Sequence, residues 1–179
     1  MNRFVRASLM AGAAALAFSA SEAQAQIALS IAGGPSFATG DFGDGLDMGY
    51  HAKVAAGFSL PMLPIGFEAD GMWTRFDISD SDENVRLLSG TLNAVINLPT
   101  PGITPYLVGG VGIYNTKNSV FDESSSDFGA NVGVGVRMGL VGLGGVFAEA
   151  RLHNVFVGDD EEGESDSIRF VPVSLGIRF

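Results

Sequence analysis

The chain has 179 residues, with 20 Asp plus Glu against 10 Lys plus Arg, a formal net charge of −10, and no cysteine. That acidic balance argues against nucleic-acid binding, which needs basic surface. The missing cysteines exclude a disulfide framework, thiolate chemistry and Cys-ligated metals, so an exported domain would be held by its backbone ladder and packing.

Taken in chain order, the first segment is an export signal. Asn2, Arg3 and Arg6 form a basic start, Ala7 to Ala20 is almost wholly apolar or small, and Ala23-Gln24-Ala25 is an A-x-A cleavage site. The apolar stretch falls short of the roughly 18 residues a spanning helix needs. Residues 1–25 therefore read as a cleaved signal peptide, and residues 26–179 as one acidic domain of formal charge −11.

Eight segments of that domain alternate large apolar with small or polar side chains, the period of a strand with two different faces. Ile27, Leu29 and Ile31 open the first. In the second, Tyr50, Ala52, Val54, Ala56, Phe58 and Leu60 oppose His51, Lys53, Ala55, Gly57 and Ser59. The third sets Ile65, Phe67, Ala69, Gly71 and Trp73 against Glu68, Asp70, Met72 and Thr74; the fourth sets Leu88, Leu92, Ala94, Ile96 and Leu98 against Ser89, Thr91, Asn93, Val95 and Asn97. Pro105 to Asn115 is Gly-rich, and its pattern leaves the facing open. The sixth sets Phe128, Ala130, Val132, Val134, Val136 and Met138 against Gly129, Asn131, Gly133, Gly135, Arg137 and Gly139. The seventh sets Val146, Ala148, Ala150 and Leu152 against Phe147, Glu149, Arg151 and His153. The eighth carries Val171, Val173, Leu175, Ile177 and Phe179 on one face, and Pro172, Ser174, Gly176 and Arg178 on the other.

The connections alternate too. Pro61 to Pro64, Pro99 to Gly102 and Leu140 to Gly144 are short turns, whereas Thr39 to Met48, Asp77 to Asn84, Lys117 to Ser126 and Val157 to Ser167 are longer, polar and acidic. Short turns at one end and long loops at the other predict an all-β, eight-stranded antiparallel up-and-down transmembrane barrel. A soluble barrel with an apolar cavity would show the same period. Against it stands the polar face, rich in Gly, Ala, Ser and Asn and poor in the Lys and Glu that solvate a soluble surface.

Three stretches carry a family resemblance: Thr104-Pro105-Tyr106-Leu107-Val108-Gly109-Gly110-Val111-Gly112, Glu149-Ala150-Arg151-Leu152-His153, and Phe170 to Phe179. They resemble the small eight-stranded barrels of the Gram-negative outer membrane, the family of OmpA-, OmpX- and OmpW-like domains, over essentially all of residues 26–179. The resemblance implies outer-membrane localisation and contact with outer-membrane lipid and lipopolysaccharide. It also implies recognition by the barrel assembly machinery through the terminal stripe Val173, Leu175, Ile177 and Phe179.

Eight strands leave a lumen that side chains can fill. The inward candidates Lys53, Glu68, Asp70, Arg137, Glu149, Arg151, His153 and Arg178 are expected to form a structural charge network, since shielded charges persist when paired. No cofactor is expected, a monomer is expected, and the reading is a structural or interaction protein rather than an enzyme. The alternatives are a lipid-modifying barrel of the lipid A deacylase type, and a narrow channel or carrier for small apolar molecules. For the enzyme, Glu149 and His153 share a face four residues apart and Ser174 lies on the polar face of the last strand. The deacylase pattern, however, would need a Ser where Val155 stands. His51 and His153 alone are weak metal candidates. The acidic loops, Asp159 to Asp166 above all, are expected to bind divalent cations weakly and diffusely.

Overall fold

A computed structural model describes residues 27–43, 46–60, 62–79, 83–98, 100–118, 123–140, 144–157 and 167–179. Each alternating segment is a strand: β1 Ile27–Thr39, β2 Gly49–Ser59, β3 Ile65–Asp77, β4 Asn84–Asn97, β5 Ile103–Asn118, β6 Glu123–Leu140, β7 Gly144–Phe156 and β8 Ser167–Arg178. Every strand pairs antiparallel with its sequence neighbour, and β1 pairs with β8 to close the barrel. Closure leaves no unpaired edge, the condition a sheet must meet to cross a bilayer. No helix among the described residues is long and apolar enough to cross a membrane. The signal-peptide reading of residues 1–25 lies outside the described residues.

The face exposed on the outside is apolar: Ile31, Val54, Leu92, Ile113, Val132, Val134 and Leu175 all stand there. Aromatic pairs belt it at both ends. Tyr50 with Trp73 (ring centroids 5.5 Å apart) and Phe128 with Phe156 (6.5 Å) lie toward the loop end, and Phe58 with Phe67 (5.5 Å) lies toward the turns. Such girdles mark the two interfaces of a membrane barrel.

The structure decides what the pattern left open in β5. Leu107, Val111 and Ile113 point out, while Tyr106, Val108 and Tyr114 are buried inside. It also corrects two expectations. The segment from Lys117 to Ser126 is largely ladder rather than loop, since Lys117 pairs with Ser124 and Asn115 with Ser126. And the lumen is not polar throughout. Its loop-side part is an apolar cluster of Met72, Phe76, Val85, Leu87, Tyr114, Val155 and Phe170, against which Phe42 of a short 3-10 turn, Gly40–Gly43, is packed. Phe42 meets Phe76 edge-on at 5.8 Å, and Phe76 meets Phe170 at 6.0 Å. Edge-to-face geometry is the favourable one for such rings, and the cluster caps the lumen from the loop side.

Candidate functional site: the lumen

Below the apolar cap the inward side chains of β2, β3, β4, β5, β6 and β7 converge. Arg151, 2 % exposed, is the hub. Its Nη1 donates to Asp70 Oδ2 (2.7 Å), its Nη2 to Glu68 Oε1 (2.6 Å), and its Nε to Glu149 Oε1 (2.6 Å). Lys53 Nζ donates to the same Glu149 oxygen at 2.5 Å, and the Tyr106 hydroxyl donates to Glu149 Oε2 at 2.8 Å. Asn93 Nδ2 donates to Asp70 Oδ2 (2.8 Å), and Asn131 Nδ2 donates to Asn93 Oδ1 (2.9 Å). A guanidinium presents its donors in a planar fork, so one Arg can hold three carboxylates only if the wall aims them at one point. The barrel does so, bringing together residues 81 and 83 positions apart in sequence.

Room for the hub comes from the glycines of β6. A Cβ on Gly133 would lie 2.6 Å from Arg151 Cγ, and one on Gly135 would lie 2.3 Å from the Tyr106 ring. Both distances are shorter than atoms tolerate, so the run Gly133-Val134-Gly135 clears space inside while Val134 keeps its face to the outside.

Between the network and the cap sit two histidines. His51 Nδ1 is 3.0 Å from Ser36 Oγ and its Nε2 is 2.8 Å from Ser174 Oγ. His153 Nδ1 is 2.8 Å from the Tyr114 hydroxyl, and its ring stacks on Phe170 at 4.8 Å. Ser174 thus approaches His51 rather than His153, contrary to the pairing weighed for an enzyme. Glu149 is committed to Lys53, Arg151 and Tyr106 and makes no hydrogen bond to His153 among the described residues. Val155 is fully buried on the His153 face, where a deacylase-type barrel would need its Ser.

Toward the turns the lumen ends on two more arginines. Arg137 lies over the Tyr106 ring (4.7 Å to its centre) and its Nη1 donates to Asn97 Oδ1 at 3.1 Å. Neither Arg137 nor Arg178 has an ion pair among the described residues. The expected network of eight is therefore five: Lys53, Glu68, Asp70, Glu149 and Arg151 meet, while Arg137, Arg178 and His153 lie apart. The cavities beside the two arginines are each about 10 Å³, space for about one water molecule.

Sequence reasoning missed Tyr106, Asn93, Asn131 and Ser36 as partners. The alternation of β4 and β6 put Asn93 and Asn131 on the inward face, but nothing local said that they would sit side by side. Tyr106 and Tyr114 were hidden by the ambiguous facing of β5. Among the described residues no group of three or more His, Asp or Glu is arranged to hold a metal. The Asp159 to Asp166 segment lies outside the described residues.

A closed eight-stranded wall with an apolar, aromatic-belted exterior and a lumen filled by ion pairs and rings defines a small outer-membrane β-barrel. The chain belongs to the family of outer membrane protein beta-barrel domains, whose family model matches residues 7–179. Among solved structures it is similar to Neisserial surface protein A, at 18 % identity and a TM-score of 0.67 over 85 % of this chain and 95 % of that one. It is similar to Ail, the attachment invasion locus protein of Yersinia pestis, at 16 % identity and a TM-score of 0.51 over 88 % and 100 %. The N-terminal β-barrel domain of Pseudomonas aeruginosa OprF aligns at 18 % identity and a TM-score of 0.51 over 87 % and 100 %. At these identities the likeness establishes the fold. No curated protein matches the chain significantly.

Proposed function

We propose that this protein is a structural or interaction barrel of the outer membrane that neither conducts nor catalyses. In this reading it is exported through a cleaved signal peptide over residues 1–25, acts as a monomer without a cofactor, and displays acidic loops outside. The observation that carries it is the Arg151 hub: a guanidinium bound to three carboxylates, capped above by Phe76 and Phe170. Ions crossing such a lumen would have to break the buried pairs, which costs several kcal/mol each.

The same geometry weighs against catalysis. Ser174 and His51 have the spacing of a nucleophile and its base, but both are buried beneath the cap, and Ser36 rather than a carboxylate occupies the other ring nitrogen. The stripe Val173, Leu175, Ile177 and Phe179 is assigned to recognition by the assembly machinery.

Two measurements test this reading. Refolded protein in planar bilayers should show no steady conductance. Lipid A extracted from cells with and without the protein should give identical mass spectra. Stable channels formed by the wild-type protein, or a change in acyl number that His51→Ala or Ser174→Ala removes, would replace it with the channel or the enzyme.

A further inference from the structure

The hub does not balance its own charge. It joins two cations, Lys53 and Arg151, to three carboxylates, Glu68, Asp70 and Glu149. One negative charge is left over, and toward the turns stand two positive ones, Arg137 and Arg178. The excess on the hub can offset one of them at a distance. The other has no counter-charge among the described inward residues below the cap, and any charge on His51 or His153 would only add to the surplus. A net charge enclosed by lipid and a low-dielectric wall is costly unless something neutralises it.

The surroundings of the two arginines sharpen the point. Arg137 gives its Nη1 to Asn97 and lays its guanidinium over the Tyr106 ring, but its Nε is buried and has no hydrogen-bond partner among the described residues. A guanidinium carries donors only, and the charged acceptor nearby, Glu68, is turned to Arg151 at 2.6 Å. Both arginines border the same two small cavities. Asn97 and Glu68 share the lining of one, and Ser30, Glu68, Tyr106 and Phe147 that of the other. Each cavity is about 10 Å³, room for about one water molecule.

We infer that Arg137 and Arg178 together hold a single-atom anion, chloride or another halide, at the turn-side mouth of the lumen. Three observations select that class. Guanidinium donors are matched by an anion through charge-assisted hydrogen bonds, and Ser30 adds a neutral hydroxyl to the same lining. The surplus is one charge, so a monovalent ion completes the balance where a divalent one would overshoot. The gaps are water-sized, and a halide is little larger than water, whereas phosphate, sulfate or a carboxylate group would have to displace the Tyr106 or Phe147 ring. Both arginines are half-buried, so the ion enters from the turn side and stops at the hub. The site goes beyond the closed-barrel reading and stands or falls separately from it, because a barrel that conducts nothing can hold this ion or lack it.

The refolded protein, in non-ionic detergent with gluconate as the background anion, is titrated with sodium chloride while the linewidth of the chlorine NMR signal is followed. The expected result is a saturable excess broadening at millimolar chloride, displaced by bromide and not by sulfate. Arg137→Gln with Arg178→Gln should weaken binding at least tenfold. Arg75→Gln with Arg86→Gln, which removes the same charge from the outside of the barrel, should leave it unchanged. Heat-shifted mobility on gels confirms that each variant is folded; if the lumen double variant does not refold, the two single glutamine variants are read instead, each with binding weakened several-fold. Unchanged broadening in the lumen variants, its loss in the outside pair, or equal displacement by sulfate would overturn the assignment.

Discussion

Removing the Arg151 side chain tests the central claim about the lumen. Arg151→Ala deletes the hydrogen bonds to Glu68, Asp70 and Glu149, but the three carboxylates do not suffer equally. Glu149 keeps Lys53 and the Tyr106 hydroxyl. The Glu68 side chain is 15 % exposed and borders a small cavity that can admit water. Asp70 is worst placed: its side chain is 1 % exposed and, among the described residues, it retains only the Asn93 amide. Leaving one buried charge without its counter-ion costs about 3 to 5 kcal/mol, and this one site accounts for most of the loss. Asp70→Asn in the Arg151→Ala background removes the stranded charge and should recover about half of it, a coupling of about 2 kcal/mol. The assay is urea unfolding and refolding of the barrel in lipid vesicles, followed by Trp73 fluorescence. A loss under about 1 kcal/mol for Arg151→Ala, or additive effects in the double variant, would refute the structural role.

Gly135→Ala drives a methyl group into the Tyr106 ring. It should cost about 1 to 3 kcal/mol by overpacking, and pairing it with Tyr106→Ala should relieve the clash; the same unfolding assay reads both. Phe170→Ala empties the centre of the cap, where the ring touches Phe76, Tyr114 and His153, and should cost about 3 to 5 kcal/mol. Phe179→Ala keeps the main-chain bonds that Phe179 exchanges with Leu29 and removes a side chain that is 64 % exposed. It should therefore lower assembled protein in cells, measured in outer-membrane fractions, while changing in vitro stability by less than about 1 kcal/mol. Unchanged membrane levels would separate this residue from assembly.

The fold was legible because its signal is local. A strand's faces are decided residue by residue, so the alternation in β2, β3, β4, β6, β7 and β8 told each side chain which way to point without reference to any other strand. Short turns and long loops then settled the up-and-down order. β5 resisted because apolar and small residues fall on both of its faces: Leu107 and Val108 are neighbours, yet only Val108 is buried. What the interior side chains do once inside depended on ladder register, a property of pairs of strands. Lys53 and Glu149 are 96 residues apart and meet at 2.5 Å, whereas Arg137 and Arg178, equally charged and equally inward, find no carboxylate among the described residues. Register acts on the outside too: Arg75, Arg86 and Lys117, far apart in sequence, stand directly across the ladder from one another on β3, β4 and β5. Composition and period decide which face a residue occupies. Which residues share a height on that face is set by the closure of the barrel, because only the hydrogen-bonded ladder fixes one strand's level against the next.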